Sequence, residues 1–217
     1  MEILCQIKTL QEANEIIGGL SAPSKMPCHS WNLPASACKV GSRLRKVPGS
    51  VCAHCYACKG RYVFPNVQNA LAHRLEGLKS GLWVVAMLLA IKFATRKVKF
   101  FRWFDSGDVQ SINMLEKIAW LAEQLPEVRF WLPTKEYQMV ATYLKLYKVF
   151  PTNLCVRLSA YMIDQKPPKF FSLPTSTVDR QGPVHGLHCP APEQKGVCGD
   201  CRACWDNAVA NVSYHAH

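Results

Sequence analysis

From about residue 98 onward, short apolar runs alternate with stretches of helical period. Residues 98–104 (VKFFRWF) predict a strand. Past the turn residues Asp105, Ser106, Gly107 and Asp108, the positions Ile112, Leu115, Ile118, Ala119 and Ala122 recur on one face and predict a helix over 111–124. Residues 128–132 read as the next strand, and Thr134, Lys135 and Glu136 lead into a helix that runs to about Lys148. A third strand over 154–158 ends at Ser159, and weaker strand signals lie at 176–178 and 211–214. Upstream, Pro65 in a first helical turn opens a helix to about Lys79, and residues 82–97 predict a second, largely buried one. Between 22 and 62 the pattern is lost, because Pro23, Pro27, Pro34, Pro48, Gly41, Gly49 and Gly60 interrupt every period.

Strands alternating with helices imply an α/β protein with a parallel sheet, open or curled into a small, incomplete TIM-barrel-like domain. The 217 residues suit a single domain, made of a cysteine-rich loop over 22–62, strand-helix repeats over 63–180 and a second cysteine-rich segment over 181–217. A forty-residue irregular loop in a compact domain needs something to tie it down, and bound metal is the expected device. In such folds function gathers at the carboxyl ends of the strands, which here carry Asp105, Ser106, Asp108, Thr134, Lys135, Glu136 and Ser159. Asp105, Thr134 and Ser159 also suit plain capping, although polar ends on three successive strands favour a shared mouth.

A composition 49% hydrophobic and 19% charged excludes a disordered chain, a collagen-like fibre and a disulfide-stapled miniprotein. The longest apolar run, residues 82–91, is half of the ~20 residues a membrane span needs, so no membrane partner is expected. The N-terminus lacks the pattern of a signal peptide, so a soluble protein with its cysteines in a reducing cytoplasm is expected.

Eleven cysteines are the main anomaly, and they are grouped. Cys28, Cys38, Cys52, Cys55 and Cys58 lie early, Cys189, Cys198, Cys201 and Cys204 late, and Cys5 and Cys155 stand alone. Clustered thiols in a reducing compartment are metal ligands more often than disulfides. Cys198, Cys201 and Cys204 form C-x-x-C-x-x-C, a spacing that lets three thiolates each take a different iron of one cubane. Cys189, followed by Pro190, resembles a remote fourth ligand. Tetrahedral zinc is the competing centre. In the first group Cys52, Cys55 and Cys58 repeat the triple spacing, so with Cys28 and Cys38 there is one thiol too many for one centre. Cys58 reads equally as a ligand or as a buried thiol. His54 reads as a solvated spacer, and the other histidines lack ligand spacing.

Charge sharpens the picture in one place. Seven basic residues and no acidic one lie between Lys25 and Arg61, within a net charge of +11. Such a patch attracts nucleic acid or a phosphorylated ligand, and equally offsets the negative charge of a metal-thiolate centre. With Trp31, Tyr56 and Tyr62 interleaved, it also allows a zinc-stabilised nucleic-acid binder.

The stretches around Cys28 and Cys38, Val47 to Ala57, Phe101 to Ser111, Phe130 to Glu136, Val156 to Ala160 and Cys198 to Trp205 together resemble the phage family called gene product 88. That resemblance implies a bacteriophage origin, expression in the cytoplasm of an infected bacterial host, and no settled activity. More distantly, Cys38 with Cys52-Ala-His-Cys55-Tyr-Ala, followed by strand-helix units, is similar to the radical S-adenosylmethionine (SAM) proteins, whose three-cysteine loop holds a 4Fe-4S cluster with one iron open for SAM. Here thirteen residues separate Cys38 from Cys52, and Asp105-Ser-Gly-Asp108 stands where those proteins carry a Gly-Gly-Glu strand end.

The radical-SAM resemblance implies a first cluster on Cys38, Cys52 and Cys55, with Cys28 able to close it. Asp105, Ser106 and Asp108 would bind SAM. Asp105, Asp108, Lys135 and Arg157 would position cofactor and substrate, a nucleotide or nucleic-acid base. A second cluster on Cys189, Cys198, Cys201 and Cys204 would pass electrons. The alternative is a non-catalytic iron-sulfur module that exchanges electrons with a redox partner.

Overall fold

A computed structural model of the chain describes residues 7–169 and 171–216. Seven strands form one all-parallel sheet: β1 Ser30–Trp31, β2 Phe100–Trp103, β3 Arg129–Thr134, β4 Leu154–Ser159, β5 Thr175–Asp179, β6 Leu187–His188 and β7 Asn211–His215. Their order is β1-β2-β3-β4-β5-β7-β6, so neighbours in sequence are neighbours in space until the last two exchange places. Among the described residues the edge strands β1 and β6 do not pair, and the sheet is open. Six helices accompany it: α1 Leu10–Ile17, α2 Lys39–Leu44, α3 Pro65–Gly77, α4 Trp83–Ala94, α5 Ile112–Gln124 and α6 Tyr137–Tyr147. None is long and apolar enough to cross a membrane.

A strand sends alternate side chains to opposite faces, and here the two faces differ in kind. Phe101, Trp103, Phe130, Leu132, Leu154, Val156 and Leu158 point into the main core with Trp83, Met87 and Ile91 of α4, Leu115 and Ile118 of α5, and Val140 of α6. Ser111 caps α5, accepting from the Met114 amide at 3.1 Å, and Pro65 starts α3 where its missing N–H costs nothing. The intervening positions Phe100, Arg102, Trp131, Cys155 and Arg157 face the other way. A parallel sheet must be covered on both faces, yet here no long helix supplies the second cover. The C-terminal cysteine-rich segment does: Trp205 packs edge-on against Trp131 at 5.2 Å and Phe100 at 5.6 Å, and its indole N–H donates to the Phe101 carbonyl at 2.9 Å.

The segment 22–62 is less irregular than its prolines predict, since it contains β1, α2 and short 3-10 turns at 35–37, 56–58 and 60–63. Protein contacts hold it. The Val40 amide donates to the Glu136 carboxylate at 2.8 Å, the Val51 amide to the Tyr161 carbonyl at 2.9 Å, and the Leu33 amide to the Ser106 carbonyl at 3.0 Å. These contacts tie the loop to the sheet independently of any bound metal.

Candidate functional site

The loop after β1 delivers Cys38 to the carboxyl edge of the sheet, and the turn at 50–58 brings Cys52, Cys55 and Cys58 to it. A methyl group placed on Gly41 would lie 3.6 Å from the Cys38 sulfur and 3.7 Å from the Cys52 sulfur, so the missing side chain leaves the space in which these thiols meet. Burial pushes the Cys38 thiol up to about 12, with Asp108, Cys55 and Cys52 raising it further and Arg45 opposing. Cys52 is also raised by burial, and the Lys135 ammonium works against that rise. Cys55 is raised by burial and by Cys58, and Cys58 lies exposed rather than buried. Neutral thiols crowded in this way must lose protons to bind a metal, so metal binding here strengthens with pH.

The turn after β2 is fastened to the loop that carries Cys38. Phe104 takes φ 55°, a left-handed conformation unusual for a bulky residue. The Asp105 amide then donates to the Asn32 side chain at 2.6 Å, and the Ser106 hydroxyl to the Leu33 carbonyl at 2.8 Å. The Asp105 carboxylate receives the Tyr62 hydroxyl at 2.7 Å and lies 3.3 Å from the Arg102 guanidinium. Asp108 accepts from the Thr134 hydroxyl at 2.6 Å, the Val109 amide at 2.8 Å and the Lys135 amide at 2.9 Å. Thus, of the three residues expected to bind a cofactor, the Asp105 amide, the Ser106 hydroxyl and the Asp108 carboxylate join β1, β2 and β3, while the Asp105 carboxylate is taken by Tyr62 and Arg102. Of the expected polar set at these strand ends, two charges act on the thiols with opposite sign: Lys135 lowers Cys52, and Asp108 raises both Cys38 and Cys52.

Burial raises the Asp108 carboxyl from its ordinary 3.8 to about 6, outweighing three hydrogen bonds that favour the anion. The folded state therefore holds the proton more tightly than the unfolded chain. This contribution to stability is complete below about pH 3.8 and is lost as pH rises through about 6, a change on the order of 3 kcal/mol. Relative to Asp108→Asn, which stays neutral, the wild-type protein should lose about that much between pH 4 and pH 7 in urea titrations of the metal-free protein. An unchanged difference between the two proteins across this range would show that Asp108 does not titrate there.

The second cysteine group assembles on the other face of the sheet. Cys189 follows β6, its amide donating to the Ser213 carbonyl at 2.8 Å, and the Cys198 amide donates to the Lys25 carbonyl at 3.1 Å. The thiols of Cys189, Cys198 and Cys201 act on one another, and Cys189 also raises Cys204. Burial pushes Cys204 up to about 11, while the Tyr214 hydroxyl lies 3.1 Å from its sulfur.

Cys28 belongs to this group. Burial pushes its thiol up to about 12, Cys198 raises it further, and it packs with Trp131 and Trp205. Whether Cys28 could close the first site is open in the sequence; the chain turns into β1 between Cys28 and Cys38, and the structure places Cys28 beside Cys198.

Arg157 is also relocated. It is 0% exposed, far from any mouth, and donates to the carbonyls of Thr175 at 2.8 Å and of Val209, Ala203 and Asp206 at 3.0 Å each. Trp31 is fully buried in the main core, which removes it from any base-stacking platform. Cys155 is buried beside Arg157, with its sulfur 3.7 Å from the guanidinium. Cys5 and His217 lie outside the described residues. Sequence reasoning overlooked Arg102, whose charge in the apolar run FFRWF was readable as a polar interruption.

Among the described residues, no three or more His, Cys, Asp or Glu side chains are placed to hold a single metal ion. A tetrahedral zinc needs its sulfurs about 3.8 Å apart, from Zn–S bonds of about 2.3 Å. A cubane gives each thiolate a different iron, so its ligands stand farther apart than those around one ion.

Comparison with curated proteins and with solved structures finds no match. A family model described as gene product 88 matches residues 4–207, a span that holds both cysteine groups and the ends of the first four strands. With that match running over nearly its whole length, the chain belongs to the gene product 88 family.

Proposed function

We propose that this is a phage-encoded iron-sulfur protein in which Cys38, Cys52 and Cys55 hold a 4Fe-4S cluster at the carboxyl edge of β1–β3. The observation that carries this reading is the meeting of thiols from two separate stretches in the space left by Gly41, beside the cations Lys135 and Arg45. A cluster with thiolate ligands is anionic, and these two side chains offset its charge. The parallel order of strands β1 to β5 supports a radical-SAM-like arrangement, with the cysteine loop after its first strand as in those proteins. When bound, the cluster supplies one-electron transfer. Cys38, Cys52 and Cys55 supply three thiolates for it, and the Asp108 network keeps β2 and β3 in register beneath it. The host cytoplasm is the compartment that keeps such thiols reduced.

Two further readings keep a distinct signature. A radical SAM enzyme acting on a nucleotide or nucleic-acid base requires SAM to reach an open iron near Lys135. A zinc-stabilised nucleic-acid binder would use Lys39, Arg43, Arg45, Lys46, Lys59 and Arg61, all exposed except the half-buried Arg45.

Protein purified without oxygen should be brown, contain iron and acid-labile sulfide, and bleach with dithionite. A colourless protein with stoichiometric zinc would overturn the iron-sulfur assignment. A shift of the reduced cluster's electron paramagnetic resonance signal on adding SAM, together with release of 5'-deoxyadenosine, would make it a radical SAM enzyme.

A further inference from the structure

The second face of the sheet carries a charge with no described counter-charge. Arg157 is 0% exposed, and among the described residues no carboxylate pairs with it. Its terminal nitrogens bond to four backbone carbonyls, which satisfy hydrogen bonds without neutralising a cation, and a buried unpaired charge is costly. Arg102 adds a second guanidinium on this face, 4.3 Å above the Trp131 ring. Asp105 offsets it in part, from 3.3 Å.

Three buried N–H donors of the same face, Arg102 Nε, Trp131 Nε1 and Arg157 Nε, have no acceptor. Buried donors rarely stay unpaired in native proteins. What lies over them is sulfur: Cys28 and Cys204 pack with Trp131 and Trp205, and Cys189, Cys198 and Cys201 adjoin them. Cations, orphaned N–H groups and thiols in one enclosed place call for an anion rich in soft acceptors.

We propose that Cys189, Cys198, Cys201 and Cys204 bind a second 4Fe-4S cluster, enclosed between the C-terminal segment and the face of the sheet that bears Arg102 and Arg157. With four thiolates it has no open iron, so its role is to pass single electrons to and from the first site and an external redox partner. The guanidinium groups stabilise the more negative, reduced form, and the orphaned N–H groups donate to its sulfurs, the levers that raise a cluster's potential. Arg102 lies between the two centres, because its guanidinium acts on Cys28 and Cys204 on one side and on Tyr56, which adjoins Cys55 and donates to the Asp105 carbonyl, on the other. The electron-relay role rests on the first cluster being present, whereas the second site stands on its own geometry.

The test is iron and sulfide counting on full-length protein reconstituted without oxygen. The wild type should hold about eight irons per chain, two clusters of four. Cys201→Ser and Cys52→Ser should each lose about half, with the remaining cluster reporting that the variant is folded. Cys155→Ser should lose none. About four irons, all lost in Cys52→Ser and all kept in Cys201→Ser, would overturn the second cluster and leave the first standing. About four irons, all lost in Cys201→Ser and all kept in Cys52→Ser, would support it and overturn the first. As an independent readout, Arg102→Gln should lower the midpoint potential of the cluster that Cys201→Ser removes. An unchanged potential there would overturn the role given to the guanidinium groups.

Discussion

Arg157→Met should lower the unfolding free energy by about 3–4 kcal/mol and release the C-terminal segment to proteolysis. The side chain fills a fully buried site with apolar volume close to that of methionine, so packing changes little. What disappears is its hold on the carbonyls of Thr175, Ala203, Asp206 and Val209. Each buried acceptor left without its donor costs about 1–3 kcal/mol, and removing an unpaired buried charge returns part of that sum. Since Ala203 to Val209 joins the cysteine segment to β7, the loss concentrates there, and cleavage between 189 and 210 should precede cleavage elsewhere. Urea titration and timed proteolysis measure the two effects. A loss below about 1 kcal/mol would show that water or the relaxed backbone satisfies these carbonyls.

Gly107→Ala should cost about 3 kcal/mol and speed the loss of iron from the first site. Gly107 has φ +82°, where an added Cβ costs about 1–2 kcal/mol by itself. That Cβ would also lie 2.5 Å from Leu33 Cβ and 2.8 Å from the Leu33 carbonyl oxygen, so the turn after β2 must move off the loop after β1. The Asp105–Asn32 and Ser106–Leu33 hydrogen bonds would stretch with it, and that loop continues to Cys38. Denaturant titration reports the stability, and the rate at which a chelator bleaches the protein reports the site. A full-rate wild-type response in Gly107→Ala would mean that the turn does not position Cys38.

Much of the fold is written in local pattern. The strands at 100–103, 129–134 and 154–159 and helices α3 to α6 fall within a few residues of where apolar spacing, Pro65 and Ser111 put them. Their signals are repeated over many residues of one element. Helix α1 also carries a local signature, a capping box in which the Thr9 side chain accepts from the Glu12 amide at 3.1 Å and Glu12 reaches back to the Thr9 amide. At eight residues it spans about two turns, too few for apolar spacing to stand out. The two-residue strands β1 and β6 have too few positions for any period to register, and they exist through pairing with β2 and β7.

The candidate sites divide in the same way. The sequence alone determined that the thiols are grouped, that the triple spacings suit cubanes, and that the strand ends carry Asp105, Asp108 and Lys135, because each of these is a statement about neighbours along the chain. Which thiols share a site was decided by the tertiary structure. Cys28 and Cys38 are ten residues apart, yet β1 lies between them and commits each to a different region, while Cys28 meets Cys198 from the far end of the chain. Arg157 shows the same limit. The resemblance to radical SAM proteins puts it at the site mouth, and only the alternation of side chains across a sheet whose second face is covered by the cysteine segment makes it a buried cation. Burial and charge balance depend on what lies across the sheet, and one-dimensional spacing does not carry that information.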